Sequence, residues 1–218
     1  MIKKTILLTM FVMAALVCTA QKRTTQATLY KQFKPSVITL KTGRTINQPL
    51  TNVFLKNGSL VYLNGEYTME ANMETIAAVE FDDRKYINID NKLAYLVDSV
   101  GSNLLYRIDL LDLNAYNQNL RNNVNISNMG FESGAITTTT MDMNNEDDYK
   151  LPIFSHFFYL YNGDFVKVHE REVSRVLPKD KEIKRKYRTI IGMDDFSWNS
   201  EKSLMLLLKA ITVKEGEQ

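Results

Sequence analysis

Between Ser36 and Leu111 the apolar residues come in short runs: SVITLK, TNVFLK, SLVYL, TIAAVEF, KYINI, KLAYLV and NLLYRIDLL. They are rich in Val, Ile, Leu, Tyr and Phe, which suit a pleated, half-buried surface. Thr42-Gly43, Asn57-Gly58, Asn64-Gly65, Asp82-Asp83 and Asp90-Asn91 separate them. Asn-Gly between apolar runs predicts a two-residue hairpin turn, because such a turn needs positive φ at both central positions. NVFLKNGSLVYLNGEYTM therefore predicts three consecutive antiparallel strands. In KYINI, Lys85, Ile87 and Ile89 alternate with Tyr86, Asn88 and Asp90, which predicts one face in water.

The pattern changes after Leu111. Asparagine recurs at 114, 117, 119, 122, 123, 125 and 128, which reads as a short helical turn followed by a loop. TTTTMDMNNEDDYK reads as a strand that runs into an acidic loop. Ile153–Tyr161 then predicts a strand, Asn162-Gly163 a turn, and Asp164–Val168 the returning strand. Phe154, His156, Phe158 and Leu160 alternate with Ile153, Phe157, Tyr159 and Tyr161, so this strand is expected to be covered on both faces. The period becomes helical after Val168. REVSRVL forms a first helix, interrupted by Pro178. A second starts near Asp180 with Ile183, Tyr187, Ile190 and Ile191 on one side, and Gly192 stops it. Asn199 is placed to cap a third, whose stripe is Leu204, Leu207, Leu208 and Ile211. The expected fold is α+β and mainly β, an antiparallel hairpin or meander β-sandwich or roll, with a short C-terminal helical tail. The expected organisation is a leader over 1–20, a β-rich body over 21–168, and a tail over 169–218 packed on or beside the body.

The first twenty residues change the cellular picture. Lys3 and Lys4 precede an apolar run from Ile6 to Val17 and a small-residue exit ending at Ala20, the form of a secretory signal peptide. The run is short of the roughly twenty residues that span a bilayer. No transmembrane span is therefore expected in the mature chain, and the expected location is periplasmic, outer-membrane-associated or extracellular. Val17 is unlike the small residue that precedes a lipoprotein cysteine. Cys18, the one cysteine, leaves with the leader, so thiol chemistry and cysteine-built zinc sites are excluded. The mature chain would hold 198 residues, with 25 Lys and Arg against 25 Asp and Glu. Neutrality argues against a nucleic-acid partner, which normally calls for a net basic field.

Candidate chemistry adds little. Asp142, Asn144, Glu146, Asp147 and Asp148 resemble a calcium loop, but the turn glycine is missing and Ile153 takes the place of the closing glutamate. Asp82, Asp83 and Asp90 fall beside turns rather than in a facing pair of the kind glycoside hydrolysis needs. His156 and His169 are the only histidines, and Ser155, adjacent to His156 on a strand, points to the opposite face. No G-x-S-x-G, H-E-x-x-H, P-loop or G-x-G-x-x-G motif occurs. No catalytic residue, metal ligand or cofactor is assigned. Lys167–Arg188 holds nine basic residues against four acidic ones, a concentration suited to an acidic partner or phosphate-bearing head groups.

VFLKNGSLVY, IAAVEFDDRKYI, VLPKDKEIKRKYRTIIG and SEKSLMLLLKAI together resemble the secreted proteins of unknown function abundant in Bacteroidota. The resemblance implies export, a β-rich body and a helical tail, and carries no catalytic residues. Asp98-Ser99-Val100 is also similar to the short O-glycosylation acceptor of that phylum, which makes Ser99 a candidate. The expected function is a non-catalytic envelope accessory or interaction protein. Its candidate partner contacts are Lys184, Arg185 and Arg188 in the tail, and Tyr62 and Tyr67 in the meander. The alternative is a glycan- or small-ligand-binding module that stacks its ligand on Trp198, and a hydrolase ranks behind both.

Overall fold

The computed structural model describes residues 27–123 and 151–212. Ten strands form one antiparallel sheet: β1 (Lys34–Leu40), β2 (Thr45–Phe54), β3 (Ser59–Asn64), β4 (Tyr67–Glu70), β5 (Ile76–Glu80), β6 (Lys85–Ile89), β7 (Lys92–Val100), β8 (Asn103–Leu111), β9 (Ile153–Tyr161) and β10 (Asp164–Lys167). Their order across the sheet is β10-β9-β8-β7-β6-β5-β1-β2-β3-β4. Helix α1 (Leu113–Asn123) follows β8, while α2 (Glu170–Val176), α3 (Lys181–Ile191) and α4 (Glu201–Thr212) follow β10. The fold is mainly β with a C-terminal helical region. A second stacked sheet, as a sandwich would require, is absent among the described residues.

The sheet curls because its connections are short. From β1 the chain runs outward through β2, β3 and β4, then returns to β5 on the other edge of β1. On a flat sheet that return would cross four gaps of about 4.8 Å each. The link Ala71–Thr75 contains a 3-10 turn, Met73–Thr75, and so lacks the reach of an extended chain. The loop after β2 accordingly meets strands far from it in sheet order: Leu93 N–H donates to Gly58 O at 2.8 Å, and Leu111 N–H to Leu55 O at 2.8 Å. Gly58 has φ +76, and a Cβ there would come within 3.1 Å of the Lys92 side chain and 3.3 Å of Leu110. Glycine is therefore required both by the turn and by this closure.

Inside the curl Ile38, Val53, Leu60, Met73, Ile76, Val79, Phe81, Tyr86 and Leu93 make one core. The arm over residues 27–33 closes one end, with Leu29 N–H on Val53 O and Leu55 N–H on Ala27 O, both at 2.9 Å. Buried Asn52 holds the arm by donating to Tyr30 O at 2.8 Å and accepting from Tyr30 N–H at 3.1 Å. A second core lies under the helices. It joins Leu105, Phe157, Tyr159, Tyr161 and Val166 of the sheet to Val173, Ile183, Tyr187, Ile190, Leu204, Leu207, Leu208 and Ile211. One cross-strand row, Ile38–Val79–Tyr86–Tyr95–Arg107–Phe157, connects the two cores.

Several local expectations change. Tyr86 is buried in the first core, and Asn88 donates to Met73 O at 2.5 Å and to Ile76 O at 2.8 Å, so this face of β6 is covered by the returning link, while on the other face Lys85 is exposed and Ile89 buried. Asn57-Gly58 belongs to a four-residue loop, because Phe54 pairs with Ser59 and only Gly58 has positive φ. At the next turn Asn64 pairs with Tyr67, which leaves Gly65 and Glu66 as the turn residues. Positive φ at both positions occurs instead at Asp90-Asn91 (50° and 62°) and at Asn162-Gly163 (51° and 93°). The asparagine-rich stretch opens as an eleven-residue helix rather than a single turn, with Asp112 Oδ1 capping it by accepting from Asn114 and Ala115 N–H at 3.0 Å. Strand β9 buries Phe157, Tyr159 and Tyr161 on one face; on the other, Phe158 and Leu160 are half-buried against Tyr106, Ile108 and Leu110, whereas Phe154 near the strand's start is 39% exposed and Phe165 of β10, the partner of Leu160, 50%. The expected strand and acidic loop over 137–150, with the calcium-like residues, lie outside the described residues.

Candidate interaction surface

The tail helices are fixed by their caps and their apolar stripes. His169 Nδ1 accepts from Arg171 N–H at 3.3 Å at the start of α2. Asp180 caps α3, its Oδ1 accepting from Glu182 N–H at 2.7 Å and Ile183 N–H at 3.1 Å. Ile183, Tyr187 and Ile190 bury one side of that helix, and Tyr187 OH reaches Glu170 O at 3.2 Å. Helix α4 begins one residue later than an Asn199 cap would place it: Leu204 N–H bonds Ser200 O at 2.9 Å, and the Ser200 side chain accepts from Ser203 N–H at 3.4 Å. Its buried face is tied to the sheet by Tyr159 OH on Leu204 O at 2.6 Å and Tyr161 OH on Ile211 O at 3.2 Å.

A clasp beside the first turn of α4 adds charge to this docking. Tyr95 OH bonds Glu201 Oε1 at 3.0 Å, and Arg107 pairs with both Glu201 and Asp109, the latter at 2.8 Å. The Arg107 guanidinium lies 4.6 Å from the Tyr95 ring centroid and that of Arg84 lies 5.0 Å from it, so the ring stands near two cations. Burial raises the Tyr95 pKa, the Arg107 charge opposes that rise, and the Glu201 carboxylate adds to it.

With their inner faces buried, α3 and α4 turn their remaining side chains to solvent. On α3 these are Lys181, Lys184, Arg185 and Arg188, at i, i+3, i+4 and i+7, all exposed. None forms an ion pair with any described residue. Glu182 of the same helix pairs with Lys186 at 3.2 Å. On α4 the exposed positions include Lys202, Leu206 and Lys209. Asp194 and Asp195, in the link between α3 and α4, are exposed as well.

The predicted contact residues thus divide. Lys184, Arg185 and Arg188 stand together on α3. Tyr62 and Tyr67 share a face of the β3–β4 hairpin, at the opposite end of the strand order from the helix-covered strands. Tyr67 is 75% exposed and Tyr62 half-buried. The sequence reading included neither Lys181 nor the outer face of α4, although helical spacing from Arg188 and from the Leu204 stripe would have found both. Trp198 stands edge-on to Phe196, with centroids 5.0 Å apart, and packs half-buried against the helix core. Ser99 is exposed on β7 beyond a register shift between Leu96 and Asp98. Two grooves open elsewhere, of about 540 Å³ beside Pro35, Val37, Pro49 and Phe81 and about 390 Å³ beside Asn57, Glu70, Asn72 and Lys92; neither is lined by Trp198 or by the two tyrosines.

The remaining chemistry is dispersed. Ser155 OH donates to Asp109 at 2.6 Å on the inner face, while His156 points outward against Phe154, ring centroids 5.0 Å apart. Asp82 and Asp83 each lie 3.6 Å from Lys34, and Asp83 accepts from Tyr30 OH at 2.9 Å. No metal-binding group of three His, Asp or Glu occurs among the described residues, and none of their helices is long and apolar enough to cross a membrane.

Burial holds the His156 pKa below the ordinary histidine value, and the nearby Lys167 and Lys92 push the same way. The folded state therefore prefers the neutral ring, and the unfolded chain binds the proton more readily. The contribution of this group to stability is present above the ordinary pKa of about 6.5 and is lost as pH falls below it. His156→Gln is expected to flatten the decline in urea-unfolding stability below about pH 6.5. An unchanged decline in the variant would assign the acid sensitivity to other groups.

In comparisons with family models, curated proteins and solved structures, the chain finds no match.

Proposed function

We propose that this is an exported, non-catalytic interaction protein of the cell envelope that docks through the outer face of its tail helices. The observation that carries the reading is the row Lys181, Lys184, Arg185 and Arg188. Four exposed cations with no described ion-pair partner line one side of a helix whose other side is locked into the core. A solvated helix usually mixes its charges, and its salt bridges contribute little. Like charges at this spacing repel one another, so the row destabilises the isolated helix slightly and is relieved when an anionic surface meets it. The arrangement of His156, His169 and Ser155 supports the non-catalytic part. His169 accepts a bond as a helix cap, and Ser155 faces away from His156 toward Asp109.

Replacing all four cations by glutamate tests this reading. The native protein is expected to sediment with isolated envelope fractions at low salt and to be released at high salt, because counterions screen exposed charges. The reversed variant is expected to stay in solution while keeping its circular dichroism spectrum. Equal sedimentation of the two proteins would exclude the α3 face as the contact.

A further inference from the structure

We infer that the surface met by these helices is an anionic lipid bilayer, an inference that rests on the docking face proposed above and names what it docks on. Three features of the fold carry it. First, the positive charge extends beyond α3. Lys202 and Lys209 on the outer side of α4 join Lys181, Lys184, Arg185 and Arg188, and none of the six is ion-paired to a described residue. The acids on these two helices are engaged by other cations, Glu182 by Lys186 and Glu201 by Arg107. Second, Leu206 lies one turn from Lys202 and three residues from Lys209, and it is 45% exposed, whereas Leu204, Leu207 and Leu208 on the same helix are fully buried. A lone leucine between two lysines suits the boundary between head groups and acyl chains, where the apolar side chain can enter and the lysine ammonium groups remain among phosphates. An acidic protein would have to match the spacing of six cations, whereas phosphates in a fluid leaflet move to meet them. Third, the face is preformed. Both helices are held by buried side chains, α4 also by the Tyr159 and Tyr161 hydroxyl bonds and α3 by the Tyr187 hydroxyl on Glu170 O, so binding orders no new backbone.

The test uses the protein without residues 1–20, whose apolar run would bind lipid by itself; the described fold begins at Ala27. Vesicles of one part phosphatidylglycerol to two parts phosphatidylcholine are compared with vesicles of phosphatidylcholine alone. Binding is expected on the anionic vesicles only, falling steeply with added salt. Each basic side chain near an anionic surface strengthens partitioning by roughly fivefold, so glutamine at all four α3 positions is expected to lower it by roughly 600-fold. Leu206→Ser keeps every charge and is expected to lower it by roughly tenfold, which separates insertion from pure electrostatics. All six side chains and Leu206 are exposed, and matching circular dichroism spectra establish that the variants fold. Failure of the native protein to bind at low salt, equal binding to neutral vesicles, or indifference to the substitutions would overturn the inference. If the α3 charges govern sedimentation with envelope fractions while pure lipid is ignored, the docking face stands and its target is an acidic protein.

Discussion

Leu207→Ala is expected to destabilise the protein by about 2–5 kcal/mol and to shift the unfolding of sheet and tail together. Leu207 is fully buried on α4, in the core that joins that helix to β8, β9 and β10. Removing most of its side chain takes away apolar burial and leaves a cavity between layers that are each fixed by hydrogen bonds, so the site collapses poorly. The chain contains one tryptophan, Trp198, packed against that core between α3 and α4, and its fluorescence reports on the tail. Circular dichroism near the β-sheet minimum reports on the body. In urea the two signals are expected to follow one transition, with its midpoint lowered in the variant. A tryptophan transition that moves while the sheet signal stays in place would show the helices to be a separately unfolding unit.

Arg107→Met is expected to cost about 1–3 kcal/mol, below the 3–5 kcal/mol typical of a fully buried ion pair broken from one side. The discount reflects partial exposure: Glu201 can rehydrate, while Asp109, whose side chain is only 9% exposed, keeps just the Ser155 hydroxyl among its present partners. The loss should concentrate on the seam between the cores, because Arg107 stands in the cross-strand row between Tyr95 and Phe157 and holds the first turn of α4 through Glu201. Adding Asp109→Asn removes the stranded carboxylate and is expected to restore part of the loss. A double-mutant cycle in urea measures that coupling, and strictly additive effects would exclude the clasp as an interacting unit.

Much of the fold was legible because it depends on neighbours in sequence. Alternation in KYINI and the apolar run NLLYRIDLL marked β6 and β8 to the residue, and Asp180, Gly192 and the Ile183–Tyr187–Ile190 spacing delimited α3. Misreadings arose where a distant segment decided the outcome. Alternation in KYINI could not tell which face of β6 is covered, because the link through Met73 that lies on Tyr86 and Asn88 is distant in the pattern. The Asn57-Gly58 loop answers to Lys92 and Leu110, residues well removed in the chain. The basic residues of the tail were visible in the sequence, but their lack of ion-pair partners became visible only once the positions of the acids were known.

By itself, the sequence determined the type and approximate limits of most elements, the helical stripes, and the local excess of positive charge after Val168. Those properties follow from side-chain periodicity and backbone preference, which act over a few residues. The tertiary structure decided that the strands form one curled sheet rather than a sandwich and that α4 is clasped to it through Arg107. It also decided that the exposed faces of α3 and α4 turn away from a shared core with their cations unpaired. These outcomes depend on which distant residues meet, and contact between segments far apart in the chain is set by packing and by the reach of short connections, which no local pattern records.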